Sequence, residues 1–398
     1  MRDDARTKER DVKRLPIAAA ALLVLLFPGA ACSPGQSMDD LNLQVHGYAT
    51  QGFIYTTNDN WNTTNSTDGS AAWTEAVVNV TAEPQPKLRI GVQARYYLLG
   101  TYGNQIMLDW ALGDYKVNEH FGFRVGKVKT PAGLLNETQD IDPAHLWILL
   151  PQSIYPVASR ASILAHYGGV VYGSVPLGDS LGKMEYRAYG GQRVLSSDDA
   201  YLQPYRDEGL TLPNGITGRM FGGTLMWDTP VEGWMVGSSI DAENPTGSVV
   251  AGPYTGTFSA HPFYPYYFYS KYERNRVMFA GEYNRLSANT QIQFSGAPPT
   301  AYLTDRRAYY AMASYKISEK LSAGLYYSGS TDRQAAHTIS RFQKDWALSA
   351  RYDFNPFLYA KFEQHFINGT EIGFSTLDNT GGYKPNTRMT LLKIGVSF

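Results

Sequence analysis

The chain has 398 residues, of which 29 are tyrosine and 17 phenylalanine, while charged residues make up only 18%. Soluble proteins carry about one quarter charged residues, so this composition is unusual for a soluble chain. The mean hydropathy is nonetheless −0.31, and after residue 31 no apolar run approaches the roughly 18 residues of a membrane helix, which excludes a helical membrane protein. The formal net charge of −1 provides no concentrated basic face, so we expect no nucleic-acid partner.

The N-terminal residues have the order of an export signal. Basic residues are frequent up to Arg14, an unbroken apolar stretch runs from Ile17 to Phe27, and small residues follow it. This order is typical of a cleaved secretory signal, and the apolar stretch is too short for a membrane anchor. We predict a signal peptide at residues 1–31 and a short periplasmic leader at residues 32–42.

Cys32 is the only cysteine of the chain. A single cysteine excludes both an internal disulfide framework and a cysteine-based zinc site. Acylation of Cys32, as in a lipoprotein, is the disfavoured alternative, because Gly29 stands where a leucine usually precedes such a cysteine.

Residues 43–398 repeat segments of about ten residues in which apolar and polar side chains alternate. Short turns and longer loops rich in Asn, Gly, Ser, Thr and Pro separate them in turn, which is typical of a transmembrane β-barrel. We therefore predict an all-β fold, a closed antiparallel barrel of about sixteen strands, because an open sheet edge cannot be hydrated in hydrocarbon. The predicted strands are Leu43–Thr56, Trp73–Ala82, Lys87–Tyr97, Gln105–Gly113, a fifth from Phe121, Ile163–Val175, Lys183–Arg193, Gly218–Trp227, Gly233–Ala242, Tyr266–Glu273, Val277–Leu286, Arg307–Ile317, Leu321–Ser330, Phe342–Phe354, Phe357–Ile367 and Thr387–Phe398.

The pattern also predicts how the strands face and how they are connected. Every turn after an even strand is expected to be short and every loop after an odd strand longer or more polar, with both termini at the periplasmic end. In the fourth strand, Asp109 is expected inward, and Ile106, Leu108, Trp110 and Leu112 outward. The aromatic run from Phe263 to Tyr269 is expected to form an interfacial belt, with a sugar-stacking track as the alternative.

The fifth strand is followed by a loop, residues 130–160, that is longer than compact domains usually tolerate without a functional reason. We expect it to fold into the barrel and to narrow it, so that its carboxylates face wall arginines and set up a transverse field. His145, Leu146 and Trp147 are expected to anchor this loop against the wall. The predicted constriction residues are Glu137, Asp140 and Asp142 in the loop and Arg89, Arg95 and Arg124 on the wall.

Two stretches and the last residue carry a resemblance to a known family. GKVKTPAGLLNETQDID, from Gly126 to Asp142, and LLPQSIYP, from Leu149 to Pro156, resemble the corresponding region of Gram-negative outer-membrane porins. The terminal Phe398 resembles the assembly signal of such proteins. The resemblance implies a constriction loop after the fifth strand, an outer-membrane location and contact with outer-membrane lipid and lipopolysaccharide. It also implies assembly by the barrel-assembly machinery and a homotrimer.

The sequence departs from two porin-like groups, since it has neither the dense Arg/Lys ladder of phosphate-selective members nor a plug domain. No motif for a catalytic nucleophile, a zinc ion or a phosphate cradle is found, so we expect no catalytic residue, metal or cofactor. We predict a porin for passive diffusion of small hydrophilic solutes or ions. The alternatives are an outer-membrane enzyme that uses lumen carboxylates and a histidine such as His365, or a plugged barrel with a surface-interaction role. Further charges predicted to line the pore are Glu75, Asp109, Glu185, Arg187, Asp345, Arg351, Lys361 and Glu363.

Overall fold

A computed structural model describes residues 41–398, in which the alternating segments pair in one antiparallel sheet. The predicted signal peptide and the leader up to Asp40, including Cys32, lie outside the described residues. The strands are β1 (Gln44–Thr56), β2 (Trp73–Gln85), β3 (Leu88–Leu99), β4 (Tyr102–Asn118), β5 (Phe121–Lys129), β6 (Ala165–Gly178), β7 (Gly182–Leu195), β8 (Ile216–Asp228), β9 (Trp234–Ala251), β10 (Tyr254–Ala260), β11 (Tyr266–Arg274), β12 (Val277–Phe294), β13 (Thr300–Lys316), β14 (Leu321–Asp332), β15 (Phe342–Asp353), β16 (Leu358–Gly369) and β17 (Asn386–Ser397). Two short α-helices, α1 (Arg160–Leu164) and α2 (Gln203–Asp207), lie in loops.

The sheet closes on itself because β1 pairs with both β2 and β17. At the seam the backbone N–H of Phe398 donates to the carbonyl of Gly47 at 3.0 Å, and the reverse bond measures 3.1 Å. Strands β10 and β11 lie end to end and together fill one position in the barrel, since both pair with β9 and with β12. The seventeen described strands thus occupy sixteen positions, and the predicted all-β barrel is confirmed.

Two connections differ from the sequence prediction. The sequence predicts no strand between Ala242 and Tyr266, but β9 continues to Ala251 and the chain returns through β10. This hairpin forms because Val249 and Phe258 bury their side chains with Leu212 in an apolar cluster beneath the loop that carries α2. The link between β3 and β4 is only two residues long, although it follows an odd strand. Gly100 has a φ of 59° there, which permits the tight turn.

The outer face of the barrel is apolar. Ile106 is 77% exposed, Phe221 59% and Phe268 58%, and such a continuous apolar exterior on a closed barrel matches a hydrocarbon surround. The aromatic run is divided by strand alternation, because Tyr266 and Phe268 face outward while Tyr269 is buried inside. Only the outward half therefore belongs to a belt. Among residues 41–398, no helix has the length and apolarity to span a membrane.

Strand β4 contains a β-bulge that the sequence pattern hides. Gln93 of β3 pairs with Trp110, and the next residue, Ala94, pairs with Leu108, so Asp109 is an extra residue without a partner across the ladder. An extra residue in one strand shifts the alternation of every side chain that follows it.

The bulge corrects the predicted facing of β4. Ile106 and Leu108 are exposed on the outer face as predicted. The outward prediction for Trp110 and Leu112 is wrong, because Trp110 is buried and Leu112 packs against the buried Val128 cluster. Both Asp109 and Trp110 therefore point into the barrel and become available to the loop after β5.

The bulge can be tested with single cysteines in a background in which Cys32 is replaced by serine. A fluorophore on Ala111→Cys should be quenched by nitroxide-labelled lipid, whereas one on Leu112→Cys should not, because the bulge exchanges their faces. Quenching of the Leu112 position with protection of the Ala111 position would contradict the bulge. Ile106→Cys is the lipid-facing control, since both registers place it outward.

Candidate functional site

The candidate site is the connection between β5 and β6, residues 130–164, here named the crossing segment. Its two ends lie together, since the backbone N–H of Thr130 donates to the carbonyl of Leu164 at 2.9 Å. The buried side chain of Asn136 reinforces this base, because its Nδ2 donates to the carbonyls of Thr130 at 2.6 Å and Ile163 at 2.8 Å. The segment is therefore a loop whose two ends are held together at its base.

Hydrogen bonds from the crossing segment reach strands all around the closed sheet. The backbone N–H of Gly133 donates to Ser239 Oγ of β9 at 2.9 Å, while Lys393 Nζ of β17 donates to Asp142 at 2.8 Å. Strands β9 and β17 lie on nearly opposite sides in the strand order. One segment can contact both only across the interior of the barrel. Its polar contacts fall on β1, β3, β4, β5, β7, β8, β9, β12, β13, β14, β15, β16 and β17.

Glu137 joins the segment to β5 and β7. One carboxylate oxygen lies 3.0 Å from Arg124 Nη1, and the other contacts Arg187. Arg124 also pairs with Asp114 at 3.0 Å. The side chains of Arg124, Glu137 and Arg187 remain about one quarter exposed, so water reaches this group of charges.

Asp140 is buried and forms several hydrogen bonds with the wall on the side of β3 to β5. Its carboxylate accepts hydrogen bonds from Lys129 at 2.7 Å, Gln93 at 2.9 Å and Trp110 Nε1 at 3.2 Å. The hydroxyl of Tyr48 donates to its backbone carbonyl at 3.0 Å. The contact with Trp110 exists because the bulge turns that indole inward.

Asp142 is likewise buried and forms several polar contacts with the wall on the side of β16 and β17. It lies 2.9 Å from Lys361 and 2.8 Å from Lys393 and accepts a hydrogen bond from Tyr359 at 2.7 Å. Burial raises the pKa of Asp142, but Lys361 and Lys393 outweigh it and hold the pKa well below its usual range. A depressed folded-state pKa stabilises the attachment above the unfolded value of about 4 while the lysines are charged, and this stabilisation is lost as the pH falls through the folded-state pKa.

Arg160, at the start of α1, ties the end of the segment to the bulge. Its two terminal nitrogens each lie 2.8 Å from an oxygen of Asp109, a bidentate pair that is almost fully buried. Burial lowers the pKa of Arg160, but Asp109 raises it by more, so the guanidinium stays charged. Beside this pair, Arg95 bonds Glu75 at 2.6 Å and stacks on the ring of Tyr97 at 3.7 Å.

Glu363 of β16 fixes the middle of the segment. Its carboxylate accepts hydrogen bonds from the backbone N–H groups of Ile148 and Leu149, both at 3.0 Å. His365 Nε2 lies 2.8 Å from the same carboxylate, and its Nδ1 lies 2.8 Å from Asp345. The three side chains are buried, so this histidine bridges two carboxylates that would otherwise repel each other.

Apolar contacts complete the attachment. Trp147 packs edge-on against Tyr326 of β14 with ring centroids 5.2 Å apart. Gly324 provides the space, because a Cβ there would lie 2.7 Å from side-chain atoms of both Leu146 and Trp147. The expected anchoring by these two residues is thus seen in the packing. His145 instead bonds within the segment, with Nε2 2.8 Å from the carbonyl of Thr138.

The structure corrects the predicted opposition of charges. Of the three wall arginines in the predicted constriction, only Arg124 contacts a loop carboxylate. Arg95 pairs with Glu75 on the neighbouring strand, and Arg89 is exposed and makes no ion pair with another described residue. The loop carboxylates are in direct contact with wall cations, because buried charges need partners at hydrogen-bond distance. For these carboxylates, contact ion pairs therefore replace the expected opposition of charges across a water column.

The other predicted lining charges lie at two different places. Arg351 contacts the segment, since it donates to the carbonyl of His145 at 3.1 Å. Glu185 stays on the wall, where it pairs with Lys183 at 2.6 Å.

The sequence did not predict Arg160 and Glu282 as contacts of the crossing segment. Glu282 accepts hydrogen bonds from the Leu134 N–H at 3.1 Å and from the Tyr155 hydroxyl at 2.7 Å. The only signal for Arg160 in the sequence is that a charged residue stands within an apolar stretch.

Removal of the Glu363 carboxylate should loosen the middle of the crossing segment. Glu363→Ala leaves two backbone N–H groups and His365 without their acceptor, at a cost on the order of 3 kcal/mol. We expect a lower unfolding temperature, measured by heat-dependent mobility on denaturing gels, and faster proteolysis near Leu149. Glu185→Ala is the matched control, because Glu185 is half-buried and does not contact the segment. Equal unfolding temperatures for the two variants would contradict the anchoring role.

Comparison with known proteins adds the fold relationship. No family model and no curated protein matches the chain. The outer membrane channel DcaP of Acinetobacter baumannii superposes with a TM-score of 0.56 at 10% identity, covering 92% of this chain and 99% of DcaP. Salmonella typhi OmpF, in complex with daunomycin, gives 0.56 at 14% identity, with 91% and 99% covered. The anion-selective porin from Comamonas acidovorans gives 0.51 at 10% identity, with 89% and 99% covered. The chain therefore has the sixteen-stranded barrel fold of Gram-negative outer-membrane porins.

Proposed function

We propose that this protein is an outer-membrane porin, in which small hydrophilic solutes and ions diffuse passively through the barrel and no covalent chemistry takes place. The observation that carries the proposal is the crossing segment, which buried ion pairs hold across a closed barrel of porin fold. A segment fixed at this depth narrows the lumen at a defined place, and pore radius and lining charge there determine which solutes pass.

Two neighbouring cavities beside the segment support a path along β1 to β4. The upper cavity has a volume of about 60 Å³ and is lined by Tyr102, Ser196 and Asp198 near the long loops. The lower cavity has a volume of about 70 Å³ and extends to Asp142 and Lys393. Each volume is enough for a few ordered waters. Because the two cavities share lining residues, we infer that they lie on one narrow route past the segment.

The neck of this route is made by residues that line both cavities, namely Arg95, Tyr97, Val157 and Arg160. Both arginines are already paired with wall carboxylates, so the neck has little net charge. The hydroxyl of Tyr97 is buried there without a hydrogen-bond partner among the described residues. We infer that the neck favours small hydrophilic solutes over strongly charged ones, since a balanced wall attracts neither sign.

A second candidate is a barrel that its own loops keep closed. Ser375, in the loop between β16 and β17, donates to Asp207 of α2 at 2.5 Å. These two loops leave the barrel at opposite positions in the strand order, so their contact spans the long-loop mouth. In this case the protein would serve as a surface barrel without conductance.

We also propose that the protein is a homotrimer. The support is a similar structure, the trimer form of in-vitro folded Vibrio cholerae OmpT, with a TM-score of 0.50 at 10% identity, covering 89% of this chain and 99% of OmpT. Light scattering of the purified protein should give three times the mass of one mature chain.

Single-channel recording tests the proposed path. Wild-type protein in a planar bilayer should give discrete ohmic steps, and Val157→Trp should lower their size at least about two-fold, because the indole fills the neck. Val157→Ala should raise the conductance. The matched control is Val78→Trp, since Val78 is 45% exposed on the outer face and should leave the conductance unchanged.

The outcomes separate the candidates. No conductance from protein that is shown to be folded would overturn the porin proposal in favour of the closed barrel. Ohmic steps that are equal in wild type and Val157→Trp would retain a channel but exclude the route along β1 to β4.

A further inference from the structure

The hydrogen-bonded wall of the barrel is interrupted between β4 and β5. Their ladder ends at the pair Ala111 and Lys127, but β4 continues for nine more residues to Tyr102 and β5 for two more to Lys129. Both strands stay paired on their other sides, β4 with β3 as far as Tyr102 and β5 with β6 as far as Lys129. Residues 102–110 of β4 therefore have no strand partner toward β5, and this stretch is named the open edge.

The open edge begins in the middle of the membrane. Lys127 is six positions beyond Phe121, the first residue of β5 after its short turn. This spacing corresponds to about 15 Å along the axis of a tilted barrel whose apolar band is about 25 Å tall. By contrast, the ladder between β12 and β13 continues without a register shift from Val277 to Ile292. The interruption thus lies at hydrocarbon depth, in the half of the membrane that faces the long loops.

A strand edge at this depth needs polar neighbours. Lipid cannot form hydrogen bonds with backbone N–H and C=O groups, so unpaired backbone in a membrane is tolerated only where protein covers it or where it lines a water-filled cavity. The upper cavity, of about 60 Å³, lies behind the open edge, since Gln105 and Met107 line it together with Arg160. A strand edge, and not a paired sheet, therefore separates this cavity from the hydrocarbon.

Lys127 stands at the lower end of the open edge, on the outer side of the wall. Its Nζ donates to the carbonyl of Leu108 at 2.5 Å and lies 5.5 Å from the ring centroid of its register partner Tyr167. Leu108 and Tyr167 are 38% and 46% exposed on the outer face. Lys127 makes no ion pair with another described residue. A cation on the lipid-facing side of a barrel is costly near the membrane centre, so this lysine is suited to pair with an acidic group that arrives there.

The carboxylates nearest to the open edge are already engaged by other groups. Asp109 is paired with Arg160 at 2.8 Å. Asp198, in the loop between β7 and β8, accepts a hydrogen bond from Gln105 at 3.1 Å, and Asp199 beside it accepts one from the backbone of its own loop at 2.9 Å. The contact between Gln105 and Asp198 bounds the open edge from above, as the pair of Ala111 and Lys127 bounds it from below.

We propose that the open edge is a lateral passage, through which a single-chain amphiphile with an acidic head group moves between the upper cavity and the adjacent half of the membrane. Its chain would lie against Ile106, which is 77% exposed, and Leu108. Its head would pair with Lys127, because an ammonium donates a stronger hydrogen bond to a carboxylate than to a backbone carbonyl. The passage does not require that ions cross the neck.

The test places a fluorophore on Met107→Cys, in the full-length folded protein without Cys32 in phosphatidylcholine vesicles. A fatty acid with a nitroxide on its chain should quench this position several-fold more than Met226→Cys. Met226 is the matched control, because it lies between the outward Leu225 and Trp227 of β8 and is paired with both β7 and β9. Phosphatidylcholine with the same nitroxide should quench Ile106→Cys but not the Met107 position, because its two chains and large head group do not fit the passage.

The role of the cation is tested with Lys127→Met, in which the side chain keeps its length and loses its charge. The fatty-acid concentration that half-quenches the Met107 position should rise about ten-fold, the loss expected for one charge-assisted hydrogen bond. The nitroxide-labelled methyl ester, which has no charge, should quench both proteins equally. Lys127→Arg keeps the cation and should bind the fatty acid like wild type, which separates an effect of charge from an effect on folding.

Three results would overturn the proposal: equal quenching of the Met107 and Met226 positions by the fatty acid, equal half-quenching concentrations for wild type and Lys127→Met, or stronger quenching by a water-soluble nitroxide carboxylate than by the fatty acid, which would show entry through the aqueous mouth. Quenching by the fatty acid in a barrel without conductance would support the passage and overturn the porin proposal. Ohmic steps without this quenching would retain the porin and exclude the passage.

Discussion

The cost of burying charge governs the interior of this barrel. A carboxylate that leaves water must find cations or hydrogen-bond donors at contact distance, and the crossing segment brings Asp140 and Asp142 into such sites. Each has wall donors from more than one strand, while Arg160 brings the opposite charge to Asp109. The segment is therefore positioned by pairs that cannot slip by one residue without leaving a buried charge unpaired.

The wall is shaped to receive the segment. The bulge at Asp109 turns two successive side chains of β4 inward, one for Arg160 and one for Asp140. On the other side, Gly324 leaves room for Leu146 and Trp147. These local features are small, but they place polar donors and apolar space where the segment needs them. Removal of one partner of an ion pair leaves the other partner buried and unpaired. We therefore expect the attachments to lose stability together and not one at a time.

The sequence predicts the barrel well because strand alternation is a local property. All sixteen predicted strands appear, and the facing of residues such as Arg95 and Glu75 follows from counting along the strand. The pattern fails where geometry departs from strict period two, as at Asp109, or where a strand leaves the membrane band, as in β9 beyond Ala242. Neither departure changes the amino-acid composition of the strand in which it occurs, so neither can be recognised from the sequence.

The contacts of the crossing segment could be predicted only in part. Its length and its carboxylates are visible in the sequence, but which cation meets which carboxylate depends on where a loop of more than thirty residues folds in space. Asp142 meets Lys361 and Lys393, more than two hundred residues away, and Arg89 meets no carboxylate. Long-range pairs of this kind follow from closure of the sheet, which no single stretch of sequence specifies.

The most direct test of the central claim uses a cysteine at Ala158, which lines the upper cavity beside the neck, in a background without Cys32. Single channels of this variant are recorded while a charged methanethiosulfonate reagent is added. If solutes pass the crossing segment at this place, each modification should lower the conductance of one channel in a discrete and irreversible step. Unchanged conductance, with complete modification verified by mass spectrometry, would show that the path lies elsewhere and contradict the claim.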